Sequence, residues 1–76
     1  MEIHITVSGH LVIDGRAFGP DMDEAPVCRQ LFRAFPNRED RREVWRAYSA
    51  YKKGSYDADR GVIVSRSGYE VPIRWE

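Results

Sequence analysis

The stretch Pro36–Gly54, P-N-R-E-D-R-R-E-V-W-R-A-Y-S-A-Y-K-K-G, decides how the chain is read. Asn37 can cap a helix, Glu39 and Asp40 suit its positive end, and Lys52 and Lys53 suit its negative end. Gly54 is a natural terminator. At about 100° per residue, Val44, Ala47, Tyr48 and Tyr51 share one face, with Trp45 at its edge. Arg38, Arg42, Arg46 and Lys53 fall together beyond Trp45, with Ser49 among them. One face therefore belongs to the fold, and the other is open to a partner.

Toward the N-terminus, Pro36 stops a preceding helix that runs to Phe35. Asp21 or Asp23 can cap it, and Pro26 falls in its first turn. Val27, Cys28, Leu31, Phe32 and Phe35 follow helical spacing and predict its buried stripe, while Arg29, Gln30 and Arg33 face water. Only Pro36 and Asn37 separate the two helices, so they meet at a tight corner.

Further back, Glu2–Val7 alternates polar and apolar residues, which is a strand signal. Ser8-Gly9-His10 reads as a turn, and Leu11–Asp14 as a second strand. A register of Ile5 opposite Ile13 and Val7 opposite Leu11 keeps the apolar residues on one face. It sets His4 opposite Asp14. Gly15–Pro20 reads as a loop with Phe18 folded back onto the core.

Beyond Gly54, Ser55–Arg60 reads as a polar loop and Val62–Val64 as a strand. After a turn at Ser65–Gly68, Tyr69, Val71, Ile73 and Trp75 alternate with polar residues, the clearest strand pattern in the chain. Pro72 cannot donate to a ladder and predicts an edge or a bulge. The expected fold is one α+β domain over residues 1–76, in the order ββ-αα-ββ. Its sheet is four-stranded and antiparallel, or split into two hairpins, with both helices on one face.

The chain has 76 residues, one cysteine, and twelve acids against twelve bases. At this size roughly 60% of the unfolded surface is buried, enough for a thin core. Zero net charge argues against a DNA mimic and against a general polyanion binder. A lone cysteine excludes an internal disulfide. With no signal peptide at the N-terminus and no apolar run of about 20 residues, it predicts a cytoplasmic setting with no membrane contact.

Candidate chemistry is sparse. His4 and His10 are too few for a zinc site, and Cys28 sits on an apolar stripe where a thiol is inert. His4, Asp14 and Ser8 supply the letters of a hydrolase triad without a nucleophile elbow. Asp57-Ala58-Asp59-Arg60-Gly61 begins like a calcium loop, but Gly61 stands where a ligand belongs. No phosphate-binding glycine loop occurs. The reading is a protein without enzymatic activity, cofactor or metal.

What survives is the basic and aromatic face of the second helix: Arg38, Arg42, Trp45, Arg46 and Lys53. Arg and Trp are enriched among residues that dominate protein interfaces. Glu39 with Arg42 and Glu43 with Arg46 stand at ion-pair spacing, which favours a protein contact over a phosphate track. The expected function is a small binding protein of inhibitor or adaptor type that occupies the surface of a protein partner. Phage-encoded inhibitors of bacterial defence, such as anti-CRISPR proteins, form one such class. The alternative is a nucleic-acid-binding regulator using the same helix face. The chain is expected to act as a monomer, or as a homodimer through the edge of the first hairpin.

Overall fold

A computed structural model describes residues 1–75. The elements are β1 (Ile3–Thr6), β2 (Leu11–Ile13), β3 (Arg16–Phe18), α1 (Glu24–Ala34), α2 (Arg38–Lys53), β4 (Ser55–Asp57), β5 (Val62–Val64) and β6 (Glu70–Arg74). The strands form one six-stranded sheet in the order β3-β2-β1-β6-β5-β4. The chain is α+β with two helices, but the sheet is mixed. Its central pair, β1 with β6, is parallel, with Ile5 beside Ile73 and Thr6 beside Arg74. This corrects both the four-stranded antiparallel sheet and the pair of separate hairpins.

The two additional strands come from turns. Asp14 and Gly15 have φ of 47° and 82°, the paired left-handed geometry of a tight two-residue hairpin. Leu11 therefore pairs with Phe18 and Ile13 with Arg16. The segment expected to be a loop is the edge strand β3, and Phe18 enters the core as part of it. At the other edge, Ser55 pairs with Val64 and Asp57 with Val62, making β4 from residues read as a polar loop.

The first hairpin keeps its faces but slides by two residues. Ile3, rather than Ile5, lies opposite Ile13, and His4 lies opposite Val12 rather than Asp14. The cause is Gly9, whose φ of 94° fits the last position of a three-residue loop. The loop is then Val7-Ser8-Gly9, closed by Thr6 N–H donating to the His10 carbonyl at 2.8 Å. The β5–β6 turn repeats this chemistry. Gly68 has φ 91°, and Ser65 N–H donates to the Tyr69 carbonyl at 2.8 Å.

Pro72 is not on an edge, because β6 lies between β1 and β5. Ile73 N–H donates to the Gly61 carbonyl, so alternation turns the Pro72 nitrogen toward β1. The β1 pairing begins only at Ile73, where the missing donor is no longer needed. The true edges are β3 and β4, each three residues long, and short edges limit strand addition.

Both helices share one core with the sheet. Ile5, Leu11, Ile13, Phe18 and Val71 pack in a single cluster with Val27, Leu31 and Phe35 of the first helical segment and Val44, Ala47, Tyr48 and Ala50 of α2. The ladder registers put all the sheet members of that cluster on one face. On the opposite face His4, Val12, Val62, Val64 and Pro72 are half-buried.

Gly54 ends α2, but its φ is −80°, not left-handed. Space requires glycine here. A side-chain carbon at this position would press into the Ala50 carbonyl oxygen and lie 2.8 Å from that of Val64. The missing side chain lets the end of the helix press against β5.

Candidate docking face

The outer side of α2 is held in place from both ends. Asn37 Oδ1 accepts from Glu39 N–H at 2.8 Å and from Asp40 N–H at 3.4 Å, fixing the first turn. Asp23 occupies the corresponding position of α1 without a side-chain cap. At the far end Lys52 Nζ donates to the Pro20 carbonyl at 2.9 Å. Tyr51 donates its hydroxyl to the Gly9 carbonyl, tying α2 to the first hairpin.

Arg38, Arg42, Trp45, Arg46 and Lys53 are all exposed. Trp45 is 40% exposed and its ring is tilted against that of Tyr48, 6.1 Å between centroids. Beside it a shallow cleft of about 90 Å³ is lined by Glu24, Trp45, Tyr48, Ser49, Lys52 and Lys53. Arg46 belongs to different surroundings. It lines a groove with Ser67, Gly68 and Tyr69 of the β5–β6 turn. Burial raises the Tyr69 phenol pKa, and the Glu43 carboxylate beside it adds to this while Arg46 opposes it.

The ion pairs expected along the helix do not form. Among the described residues the salt bridges join His4 to Glu2, Arg60 to Glu70 and Arg74 to Glu2. None involves a residue of α2. Glu43 lies beside Tyr69 instead, so among the described residues no carboxylate forms an ion pair with Arg38, Arg42 or Arg46. Charge is also segregated along the chain: residues 24–53 hold eight of the twelve bases and four of the twelve acids. The zero total therefore combines a basic helix layer with an acidic remainder.

Sequence reasoning gave no role to Arg41. Its Nε donates to the Phe35 carbonyl at 3.0 Å and its Nη2 to the Phe32 carbonyl at 3.1 Å. Its guanidinium also lies 5.2 Å from the Phe32 ring centroid. Arg41 thus satisfies the carbonyls left over where α1 ends. Phe32 is correspondingly 37% exposed under that cover, not buried in the stripe of α1. Cys28 is half-buried, and burial and the nearby Glu24 raise its thiol pKa.

The residues with the letters of a triad separate. His4 Nδ1 is 3.4 Å from Glu2, and Asp14 Oδ1 accepts from Glu2 N–H at 2.7 Å. Ser8 Oγ lies 3.2 Å from His10 Nδ1 and 2.9 Å from Thr6 Oγ1. Ser65 and Ser67 repeat the hydroxyl contact at 2.9 Å in a turn without histidine. The Ser8 contacts are thus turn chemistry. Among the described residues no group of three or more His, Cys, Asp and Glu side chains is placed to hold a metal ion. Likewise, none of their helices is long and apolar enough to cross a membrane.

A second surface lies where β1 and β6 end. Trp75 falls beyond β6 and is 86% exposed, not part of the strand as the alternation suggests. With Val7, Tyr56, Gly61 and Ile73 it lines an open groove of about 480 Å³. No protein-family model, no curated protein and no solved structure matches the chain.

Proposed function

We propose that the protein is a binding module of inhibitor or adaptor type, without catalytic activity, that seats the outer face of α2 on an acidic protein surface. The carrying observation is Trp45, exposed beside Arg38, Arg42 and Lys53, none of which has a carboxylate partner among the described residues. Unpaired guanidinium groups give up no internal ion pair when they meet a partner's carboxylates, and an adjacent aromatic supplies the apolar centre of an interface. The half-covered Trp45 ring against Tyr48 is a firm anchor with little side-chain freedom left to lose.

The test is affinity capture with the wild-type chain and with Arg38→Glu/Arg42→Glu and Trp45→Ala variants. A defined protein should be retained by the wild type and lost by both variants. Retention by these variants, with loss on Trp75→Ala, would move the docking face to the groove at the end of β6.

A second reading has its own support in the same row of unpaired arginines, which could follow a nucleic-acid backbone. Binding to duplex DNA or RNA would then fall steeply with salt. Replacing Arg38 or Arg42 by alanine would flatten the logarithmic salt slope by about 0.9 for each phosphate of duplex DNA no longer neutralised. Absence of salt-dependent binding removes this reading and leaves the first.

A further inference from the structure

A different basic cluster lies on the far side of α1 from α2. A groove of about 430 Å³ is lined by Arg16, Pro26, Arg29, Gln30, Arg33 and Ala34. Three of these six residues are arginines, and among the described residues no carboxylate lines the groove. None of the three arginines forms an ion pair among the described residues. They come from two elements. Arg29 and Arg33 stand four residues apart on α1, so their side chains project side by side. Arg16 arrives from β3. Its register partner is Ile13, whose side chain points into the core beneath the helices. The tight turn at Asp14-Gly15 sets that register, and a slip of one residue would send Arg16 to the other face of the sheet.

We propose that this groove binds the phosphate group of a small phosphorylated ligand, one carrying two or more negative charges. Like charges four residues apart destabilise a helix, and a third cation brought from a neighbouring strand adds to the repulsion. Arg33 lies in the last turn of α1, where a cation suits the negative end of the helix. That accounts for Arg33 but not for Arg29 in the middle of the helix, nor for Arg16. A bound phosphate relieves all three at once. Guanidinium groups suit it because each offers a planar pair of donors to two phosphate oxygens. Gln30 adds a neutral donor on the same rim. The volume lies within the range of small-molecule sites, so more of a ligand than its phosphate can be held.

The test uses the full chain in low-salt buffer, titrated with pyrophosphate and, separately, with inorganic phosphate, and followed by amide and arginine side-chain NMR signals. The expected result is saturable shifts at Arg16, Arg29, Gln30 and Arg33, with pyrophosphate the tighter ligand. Arg16→Gln, Arg29→Gln and Arg33→Gln should each weaken pyrophosphate binding by about tenfold or more, as expected when a charge-assisted hydrogen bond is removed. Arg38→Gln/Arg42→Gln should leave it unchanged, which separates this site from the docking face of α2. Pyrophosphate should also raise the melting temperature of the wild type and not of an Arg16→Gln/Arg29→Gln/Arg33→Gln variant. Non-saturating shifts, shifts centred on Arg38 and Arg42, or equal affinity in the groove variants would each overturn the proposal.

Discussion

The Tyr51 hydroxyl donates to the backbone carbonyl of Gly9, a residue forty-two positions earlier in the chain. Tyr48, one turn back on the same helix, is 3% exposed, and its hydroxyl has no partner among the described residues. Two tyrosines of α2 thus carry opposite hydroxyl energetics. Tyr51→Phe should lower stability by about 1 kcal/mol, the net worth of one hydrogen bond. Tyr48→Phe removes a buried polar group that makes no bond and should raise stability by about 1 kcal/mol. Urea unfolding of the two variants measures both, and a loss on Tyr48→Phe would show that its hydroxyl has a partner.

High pH should destabilise the protein through Tyr48, Tyr51 and Tyr69. Burial is the largest influence on Tyr48, Tyr51 and Tyr69, and it raises each phenol above the ordinary value of 10.0. The folded chain therefore holds these protons where the unfolded chain has begun to release them. Stability is unaffected by these groups below pH 10 and falls as pH rises beyond it. Urea midpoints between about pH 8 and 11, with tyrosinate absorbance recorded alongside, check the sign. A midpoint that rises above pH 10 would contradict it.

Gly54 and Gly19 separate two kinds of glycine. Gly54→Ala forces a carbon against two carbonyl oxygens and should cost about 1–3 kcal/mol, in the range of overpacking. At Gly19 the nearest atom to an added carbon is His10 Cδ2 at 3.8 Å. Gly19→Ala should change stability by no more than about 0.5 kcal/mol. Thermal melts of the pair decide, and equal costs would show that the α2–β5 packing yields freely.

Arg41 should behave as a structural residue amid the exposed arginines of α2. Arg41→Ala leaves the Phe32 and Phe35 carbonyls without their donor and uncovers the Phe32 ring. A loss of about 2 kcal/mol is expected, with Arg41→Lys recovering only part, because an ammonium cannot reproduce the planar fork. By contrast Arg38→Ala and Arg42→Ala should leave stability within about 0.5 kcal/mol. Chemical denaturation of the set distinguishes the two roles.

The boundaries of α2 were legible because caps are local. Asn37, the acids after it and the lysines before Gly54 all lie within one turn of the ends they stabilise. The hairpin at Asp14-Gly15 was equally local, but Gly19-Pro20 a few residues on made the whole stretch resemble a loop and concealed β3. Ser55–Asp57 is too short for alternation to register, so β4 left no signal. The parallel pairing of β1 and β6 has no local signature, since nothing near Ile5 refers to Ile73. The residues of the proposed docking face could be grouped from helical spacing alone. Whether Glu39 and Glu43 would neutralise them could not be read so simply, because Glu43 is drawn to Tyr69 on another element. The arginine groove depends on the register of β3, and without β3 Arg16 had no address.

The seam between β1 and β6 sets the order in which this molecule can be made. Each outer half of the sheet closes through short turns, whereas Ile5 must find Ile73 across nearly the whole chain. Long loop closure loses entropy before any contact compensates, so the seam should form late and slowly. Until residues 70–74 emerge from the ribosome, β1 stands as an open edge with Ile5 at its margin. Shielding that edge is then a matter of synthesis speed and chaperones, not of the finished fold. Refolding complete within microseconds would show that the two halves find each other without this delay.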